Sequence, residues 1–172
     1  MIEKNWKELI KPSKLEVRQE NNPEFTATII AEPLERGYGV TLGNTLRRIL
    51  LSSLQGSAIT SIQVQGVLHE FSSIPGVRED LTDIILNVKG IKVKMETDTI
   101  KKVQLNVKGP ITVTAGMIEC PSDVEIMNQD HEICTLDDGA VLAVEFTIEN
   151  GKGYVSSAAN RRDDLPIGVI PI

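Results

Sequence analysis

The sequence is short of aromatic residues, of cysteine and of long apolar runs. Aromatic residues make up 3% of its 172 residues, so its hydrophobic content of 41% is mostly Ile, Val and Leu. No apolar run approaches the roughly 20 residues that span a bilayer. The opening stretch MIEKNWKELIKPSKLEV has no apolar core of signal-peptide length. These absences predict a cytoplasmic globular protein of one medium domain or two small ones.

The charge balance excludes one broad class of function. A net charge of −6 lacks the excess of Lys and Arg with which a general nucleic-acid surface neutralises phosphates. It leaves open a place inside a larger nucleic-acid machine. The two cysteines, Cys120 and Cys134, are expected to be reduced, because the sequence shows no secretory route.

Residues that carry catalysis or bind metals are few and scattered. The segment His131–Cys134, together with Cys120, suggests a metal, but there are only two histidines and no C-x-x-C pair. A structural zinc site needs four closely spaced ligands. His69 lies at a strand end, without a G-x-S-x-G nucleophile motif. We therefore expect no catalytic residue, no metal site and no cofactor.

Short alternating segments are what the sequence does contain. Lys14–Leu34 predicts a hairpin with its turn at Asn21–Pro23. Further along, Ile62 and Val64 are expected to face a core, with Ser61 on the opposite, polar face. Short strands bounded by Gly, Pro, Asn or Asp follow. The pattern predicts an α+β fold with a mostly antiparallel sheet and two main helices.

The segment VREDLTDIILNVKG predicts the second helix. Its apolar positions fall on one face, at i, i+4, i+7, i+8 and i+11: Val77, Leu81, Ile84, Ile85 and Val88. Acidic residues in the first turn and Lys89 in the last suit the helix dipole. Gly90 is the expected stop. We expect the opposite face, which carries Asn87, to be solvated.

The three glycines of Gly37–Gly43 have two interpretations. One is a nucleotide-binding enzyme that uses them as a phosphate loop at a helix start. Their spacing is one residue off the dinucleotide fingerprint, and neither a Lys-Ser/Thr pair nor a suitably placed acidic residue follows. The other is that Gly37 and Gly39 form the turn into the helix, and that Gly43 lets another backbone approach.

The first helix, predicted over Thr41–Leu54, has two informative sides. One side carries four aliphatic residues: Leu42, Leu46, Ile49 and Leu50. Burying each is worth about 1.5–3 kcal/mol, so this side must meet a core. The other side carries four residues within a sector of about 60° around the helix axis: Asn44, Arg48, Leu51 and Gln55. A leucine beside an arginine is typical of an interface centre, although periodicity alone does not exclude a solvated face.

Four stretches together resemble the amino-terminal domain of the bacterial DNA-directed RNA polymerase alpha subunit. They are EPLERGYGVTLGNTLRRILLSSLQGSAIT, GVLHEFSSIPGVREDLTDIILNVKG, GYV and LPIGVIPI, and the opening resembles alphaproteobacterial versions. The resemblance implies a non-catalytic scaffold in transcription, within a nucleotidyltransferase complex. Two copies dimerise and then collect the beta and beta-prime subunits. Residues 1–55 would be the first segment of a discontinuous dimerisation domain, and 56–172 an inserted α+β domain.

The resemblance also assigns residues to partners. The first helix, with Leu42, Leu46, Ile49 and Leu50, would pack in the dimer interface. Beta would be bound through Asn44, Arg48, Leu51, His69 and Glu70. Lys89 matches a position implicated in contact with beta-prime.

The family's domain continues past IGVIPI, so the resemblance implies a truncated chain. The returning segment, with a second interface helix, and a DNA-binding carboxy-terminal domain would be missing. We therefore expect no direct DNA binding by these residues, and we expect the homodimer to form in the full-length protein. A further interpretation is a fragment in which Gly56–Ile172 folds while Met1–Gln55 packs poorly.

Overall fold

The computed structural model describes residues 8–19, 26–162 and 165–172. The chain divides into two compact units, Met1–Leu51 and Ser52–Ile172. In the first unit, strands β1 (Leu15–Gln19) and β2 (Ala27–Ala31) pair antiparallel, and helix α1 (Tyr38–Ser52) follows them. The turn predicted at Asn21–Pro23 lies outside the described residues.

The second unit is built mainly of strands. In chain order its elements are β3 (Gln55–Val64), α2 (Leu81–Lys89), β4 (Val93–Met95), β5 (Lys101–Lys108), β6 (Ile111–Thr114), a 3-10 turn (Ala115–Met117), β7 (Val124–Ile126), β8 (Glu132–Leu136), β9 (Val141–Lys152), α3 (Ser157–Asn160) and β10 (Val169–Pro171). Six strands form one sheet in the order β5-β9-β3-β4-β7, with β10 also paired to β3, while β6 and β8 form a second sheet. Every strand pairing in the described ranges is antiparallel. The predicted α+β class is confirmed.

The core lies in the second unit. All buried residues among those described fall between Ile59 and Ile172. The largest fully buried side chains include Phe146, Ile62, Leu81, Ile84 and Leu105. Helix α2 buries Leu81, Ile84 and Val88, as its periodicity predicted, and it ends at Gly90. Val77, predicted on the same helix face, lies before the helix and forms a bridge with Leu136 instead. Sheet and helix therefore enclose one aliphatic core.

Strand β3 contains a bulge just before Ser61, and the burial of Ser61 differs from the prediction. The pairing with β9 shifts between Ile59 and Ser61, so Thr60 is an extra residue. The bulge keeps Ile59 and Ile62 on one face of the sheet although they are three positions apart. Ser61 lies on the face opposite Ile62 and Val64, as predicted, but it is only 4% exposed and is not solvated as expected of a polar face. The physical reason is that β9 and β10 pair with β3 on both sides of Ser61.

An ion pair ties β5 to the segment before β7. Lys101 Nζ lies 2.6 Å from Asp123 Oδ2, and the two side chains are 28% and 22% exposed. Thr97 Oγ1 donates to the same carboxylate oxygen at 3.1 Å. The bond from Lys101, more than any other contact, holds the pKa of Asp123 below its usual range.

We expect this pair to make stability fall in acid. Because the native pKa of Asp123 is depressed, unfolding at low pH takes up a proton. The stabilisation is therefore present above the unfolded pKa of about 4 and is lost as pH falls through the native value. Urea unfolding across this range should show a shallower acid dependence for Asp123→Asn than for the wild type. Asp138→Asn, in an exposed turn, is the control. An unaltered acid dependence in Asp123→Asn would contradict the assignment.

Candidate protein-interaction surfaces

Helix α1 begins three residues before the predicted Thr41. Gly37 has φ +88°, and Tyr38 N–H donates to Glu35 O at 3.0 Å, so the turn closes there. Gly39 and Gly43 therefore lie inside the helix, not in a loop. The glycine segment does not form the phosphate loop that the alternative interpretation requires, and the predicted turn role of Gly39 is also wrong. Around Gly43, an added Cβ would meet no other atom within 4 Å, so no second backbone from the described residues approaches it.

No residue of α1 is buried within this chain. The exposed fractions on its apolar face are 43% for Leu42, 57% for Leu46, 46% for Ile49 and 59% for Leu50. The prediction that this face meets a core is therefore not met inside the chain. Large aliphatic side chains gathered on one exposed face mark a surface that another molecule covers. We call these four residues the apolar face of α1.

The hairpin of the first unit adds a second apolar surface. Leu15 lies opposite Ala31 and Val17 lies opposite Ile29, so these side chains share one face. Leu15, Val17 and Ile29 are 64%, 59% and 64% exposed. None of the described residues of the first unit is buried. Such a unit has no core of its own with which to offset the entropy of folding.

A second face lies on the other side of α1. The sequence predicted Asn44, Arg48, Leu51 and Gln55 for this side. The helix ends at Ser52, so Gln55 belongs to β3 and is not part of this helix face. The earlier start adds Val40, which is 73% exposed and lies one turn before Asn44. The second face therefore consists of Val40, Asn44, Arg48 and Leu51, all exposed. The positive φ of Gly37 is what sets the earlier helix start.

The loop after β3 carries His69 and Glu70, both exposed. The Oγ of Ser72 and the Nδ1 of His69 are hydrogen-bonded at 3.1 Å, which orients the imidazole. Leu68 and Phe71 flank the pair and are 71% and 80% exposed. Sequence analysis missed these two, because a short loop has no periodicity to separate exposed from buried apolar residues.

Leu68–Phe71 line one wall of a groove of about 760 Å³. The opposite wall is the segment Leu165–Pro171, where Ile167 is 88% exposed. Gly168 brings the walls together: its φ is +89°, and an added Cβ would lie 3.2 Å from the carbonyl oxygen of Val67. The groove thus combines exposed apolar side chains with the polar side chains of His69 and Glu70.

Lys89 closes α2 and is exposed. It lines a different groove, of about 560 Å³, together with Val88, Ile91 and the segment Gly151–Val155. Tyr154 in this segment is 89% exposed. The predicted site residues therefore fall on four surfaces: two faces of α1, the loop at His69, and the end of α2.

The chemistry of the remaining candidates is limited. Burial, with a contribution from the charge of Glu79, raises the pKa of the Cys134 thiol to about 12. Burial also raises the pKa of Cys120. Thiols with raised pKa values are poor nucleophiles and poor metal ligands at neutral pH. Within the described ranges, no group of three or more His, Cys, Asp or Glu residues is placed to hold a metal ion. Nor does any helix described here have the length and apolarity needed to cross a membrane.

An α+β domain that leaves one helix and one loop rich in exposed apolar residues is typical of a subunit of a larger complex. Residues 62–172 match the sequence family described as the RNA polymerase Rpb3/RpoA insert domain. The match covers well over half of the chain and includes α2, most of the sheet and the groove beside His69. The chain belongs to this family and carries an RNA polymerase alpha-type domain. Membership implies association with other subunits of RNA polymerase, a nucleotidyltransferase complex.

Proposed function

We propose that the protein is a non-catalytic scaffold subunit of bacterial RNA polymerase, which dimerises and then binds the beta and beta-prime subunits. The observation that carries this proposal is α1, a helix of 15 residues without one buried residue. A helix with two exposed faces, in a unit with no buried residue among those described, gains stability only by association.

The dimerisation step uses the apolar face of α1. In a symmetric dimer both copies present the same surface, so each leucine is buried twice in the complex. Exposed fractions between 43% and 59% leave much of each side chain available for burial. Residues 1–55 then act as part of a dimerisation domain and 56–172 as the inserted domain. The boundary between the compact units, after Leu51, supports this division.

The beta subunit is bound by the second face of α1 and by the loop at His69. Arg48 lies among Val40, Asn44 and Leu51, so a partner that covers this face removes the guanidinium from water. An arginine in such surroundings is a typical interface anchor, because its five donors match a carboxylate or several carbonyls. His69 and Glu70 supply a second polar contact, and the exposed Leu68 and Phe71 supply apolar area around it.

The beta-prime subunit is bound through Lys89. Its ammonium group lies at the carboxyl end of α2, beside a groove that exposes Tyr154. A flexible lysine presents three donors to an acidic partner site. The assembly takes place in the cytoplasm, and the scaffold contributes burial of surface instead of bond-making chemistry.

Arg48→Ala tests the contact with beta. We expect the fold to be retained, because the side chain is exposed and outside the core. Truncation of an arginine anchor typically costs about 2 kcal/mol or more, which weakens binding roughly thirtyfold. The dissociation constant for purified beta, measured by fluorescence anisotropy, would report this loss, and circular dichroism would report the fold.

Arg47→Ala is the matched control for this experiment. Arg47 has the same charge on the same helix, but lies about 100° around the axis from Arg48. It should change beta affinity much less. Full beta binding by Arg48→Ala would overturn the proposed contact, and equal losses in both variants would point to a general charge effect.

A further inference from the structure

The carboxyl end of α2 is held by a turn that is distant in sequence. The helix ends with Lys89, and Gly90 N–H donates to Asn87 O at 2.9 Å. The last carbonyl groups of a helix lack partners within the helix and need donors from elsewhere. Here the donors come from Asn128 and His131, in the turn between β7 and β8.

Asn128 brackets the backbone that leaves the helix. Its Nδ2 donates to Gly90 O at 2.9 Å, and its Oδ1 accepts the N–H of Lys92 at 2.7 Å. Met127 N–H donates to Lys92 O at 2.9 Å. Three backbone groups within Gly90–Lys92 are therefore fixed by two consecutive residues. The exit of the chain from α2 has one conformation as long as this amide is in place.

His131 holds the preceding turn of the helix. Its Nε2 lies 2.7 Å from the carbonyl oxygen of Asn87, so this nitrogen is the donor. Asn87 Nδ2 in turn donates to Ile133 O at 2.9 Å, which makes the contact reciprocal. The imidazole also explains the glycine at position 90: an added Cβ would lie 2.7 Å from the ring atoms Cε1 and Nε2.

We propose that Asn128 and His131 are positioning residues that fix Lys89 for contact with the beta-prime subunit. This inference rests on the proposed function, because it takes Lys89 as the contact. Lys89 lies between Asn87 and Gly90, so the backbone on both of its sides is bonded to the turn. A lysine side chain has many rotamers, and a fixed backbone removes part of the ordering cost that binding would otherwise carry.

The test is a double-mutant cycle in the full-length protein bound to beta. Beta-prime affinity is measured for Asn128→Ala, Lys89→Ala and the double variant. We expect each single change to weaken binding about tenfold, and the double variant to bind little worse than the weaker single. Two residues that act through one contact are not additive. Asn128→Asp keeps the acceptor for Lys92 N–H but loses the donor to Gly90 O, and should give an intermediate loss.

Glu79→Ala is the matched control, at the other end of α2. Glu79 accepts two bonds from Thr135, at 2.7 Å from its backbone N–H and 3.1 Å from its hydroxyl. The variant therefore loses a comparable anchor to β8 without touching Lys89. We expect its beta-prime affinity to be unchanged. Beta affinity should be unchanged in all of these variants.

A second readout separates positioning from general stability. Relaxation of the Lys89 backbone amide, measured by NMR, should show increased motion in Asn128→Ala and not in Glu79→Ala. Unchanged motion, multiplicative effects in the double variant, or equal losses in the two alanine variants would overturn the proposal. If Lys89→Ala binds beta-prime with wild-type affinity, both the Lys89 contact and the positioning role are wrong. The Arg48 experiment still decides separately on the contact with beta.

Discussion

Gly109→Ala is expected to destabilise the second unit by at least about 3 kcal/mol, the largest stability loss among the substitutions considered. An added Cβ would lie 2.1 Å from the backbone oxygen of Asp137 and 3.0 Å from Leu136 Cβ. Overpacking usually lowers the free energy of unfolding by about 1–3 kcal/mol. Here the added Cβ would meet a backbone atom, which cannot move away by a change of rotamer as a side chain can. Gly109 N–H also donates to Ala140 O at 2.8 Å, so moving the strand breaks this bond.

Urea unfolding followed by circular dichroism would measure the loss. Gly151→Ala is the control: an added Cβ there meets nothing within 4 Å. It should be neutral or slightly stabilising, because alanine restricts the unfolded chain. A Gly109→Ala variant that unfolds at the wild-type urea concentration would contradict the prediction and show that the backbone at the end of β8 can shift at little cost.

The second large effect is expected on self-association. Leu46→Ala combined with Leu50→Ala should weaken the dimer of the full-length protein by at least about 3 kcal/mol, which is more than a hundredfold. The two leucines are 57% and 59% exposed in the single chain. Because a symmetric interface contains both copies, each truncation counts twice. Sedimentation equilibrium would give the dissociation constant.

Leu51→Ala is the control for the dimer. It makes the same chemical change on the second face of α1, where the leucine is 61% exposed. It should leave self-association intact and weaken only the binding of beta. An unchanged dimer in the Leu46 and Leu50 variant would remove the apolar face from the interface.

Helix α2 shows what the sequence can predict. The apolar positions from Leu81 to Val88 and the terminal Gly90 are local signals, and the structure follows them, although the helix starts at Leu81 and leaves Val77 outside it. The partners of its other face were not predictable. Asn87 was expected in solvent, yet it bonds to Ile133 O and accepts from His131. Both partners lie more than 40 positions away.

Helix α1 and strand β3 show the limits. A helix at α1 follows from its periodicity, but the exposure of its apolar face does not, because periodicity predicts burial. Ser61 lies on the predicted face, but it is buried there because β9 and β10 pair with β3 on both sides of it, which only the fold brings about. Leu68 and Phe71 were missed because their exposure depends on the neighbouring segment Leu165–Pro171, which only the fold brings near.

Under the proposed dimerisation, the lack of any buried residue among those described in the first unit makes the stability of this unit depend on protein concentration. The second unit carries its own interior, so dilution leaves its melting temperature unchanged. In the proposed dimer the first unit gains its stability by mass action, and this stability declines logarithmically as the protein is diluted. A cell that makes too little of this chain would therefore hold copies with a folded second unit and a first unit that is not stabilised by association.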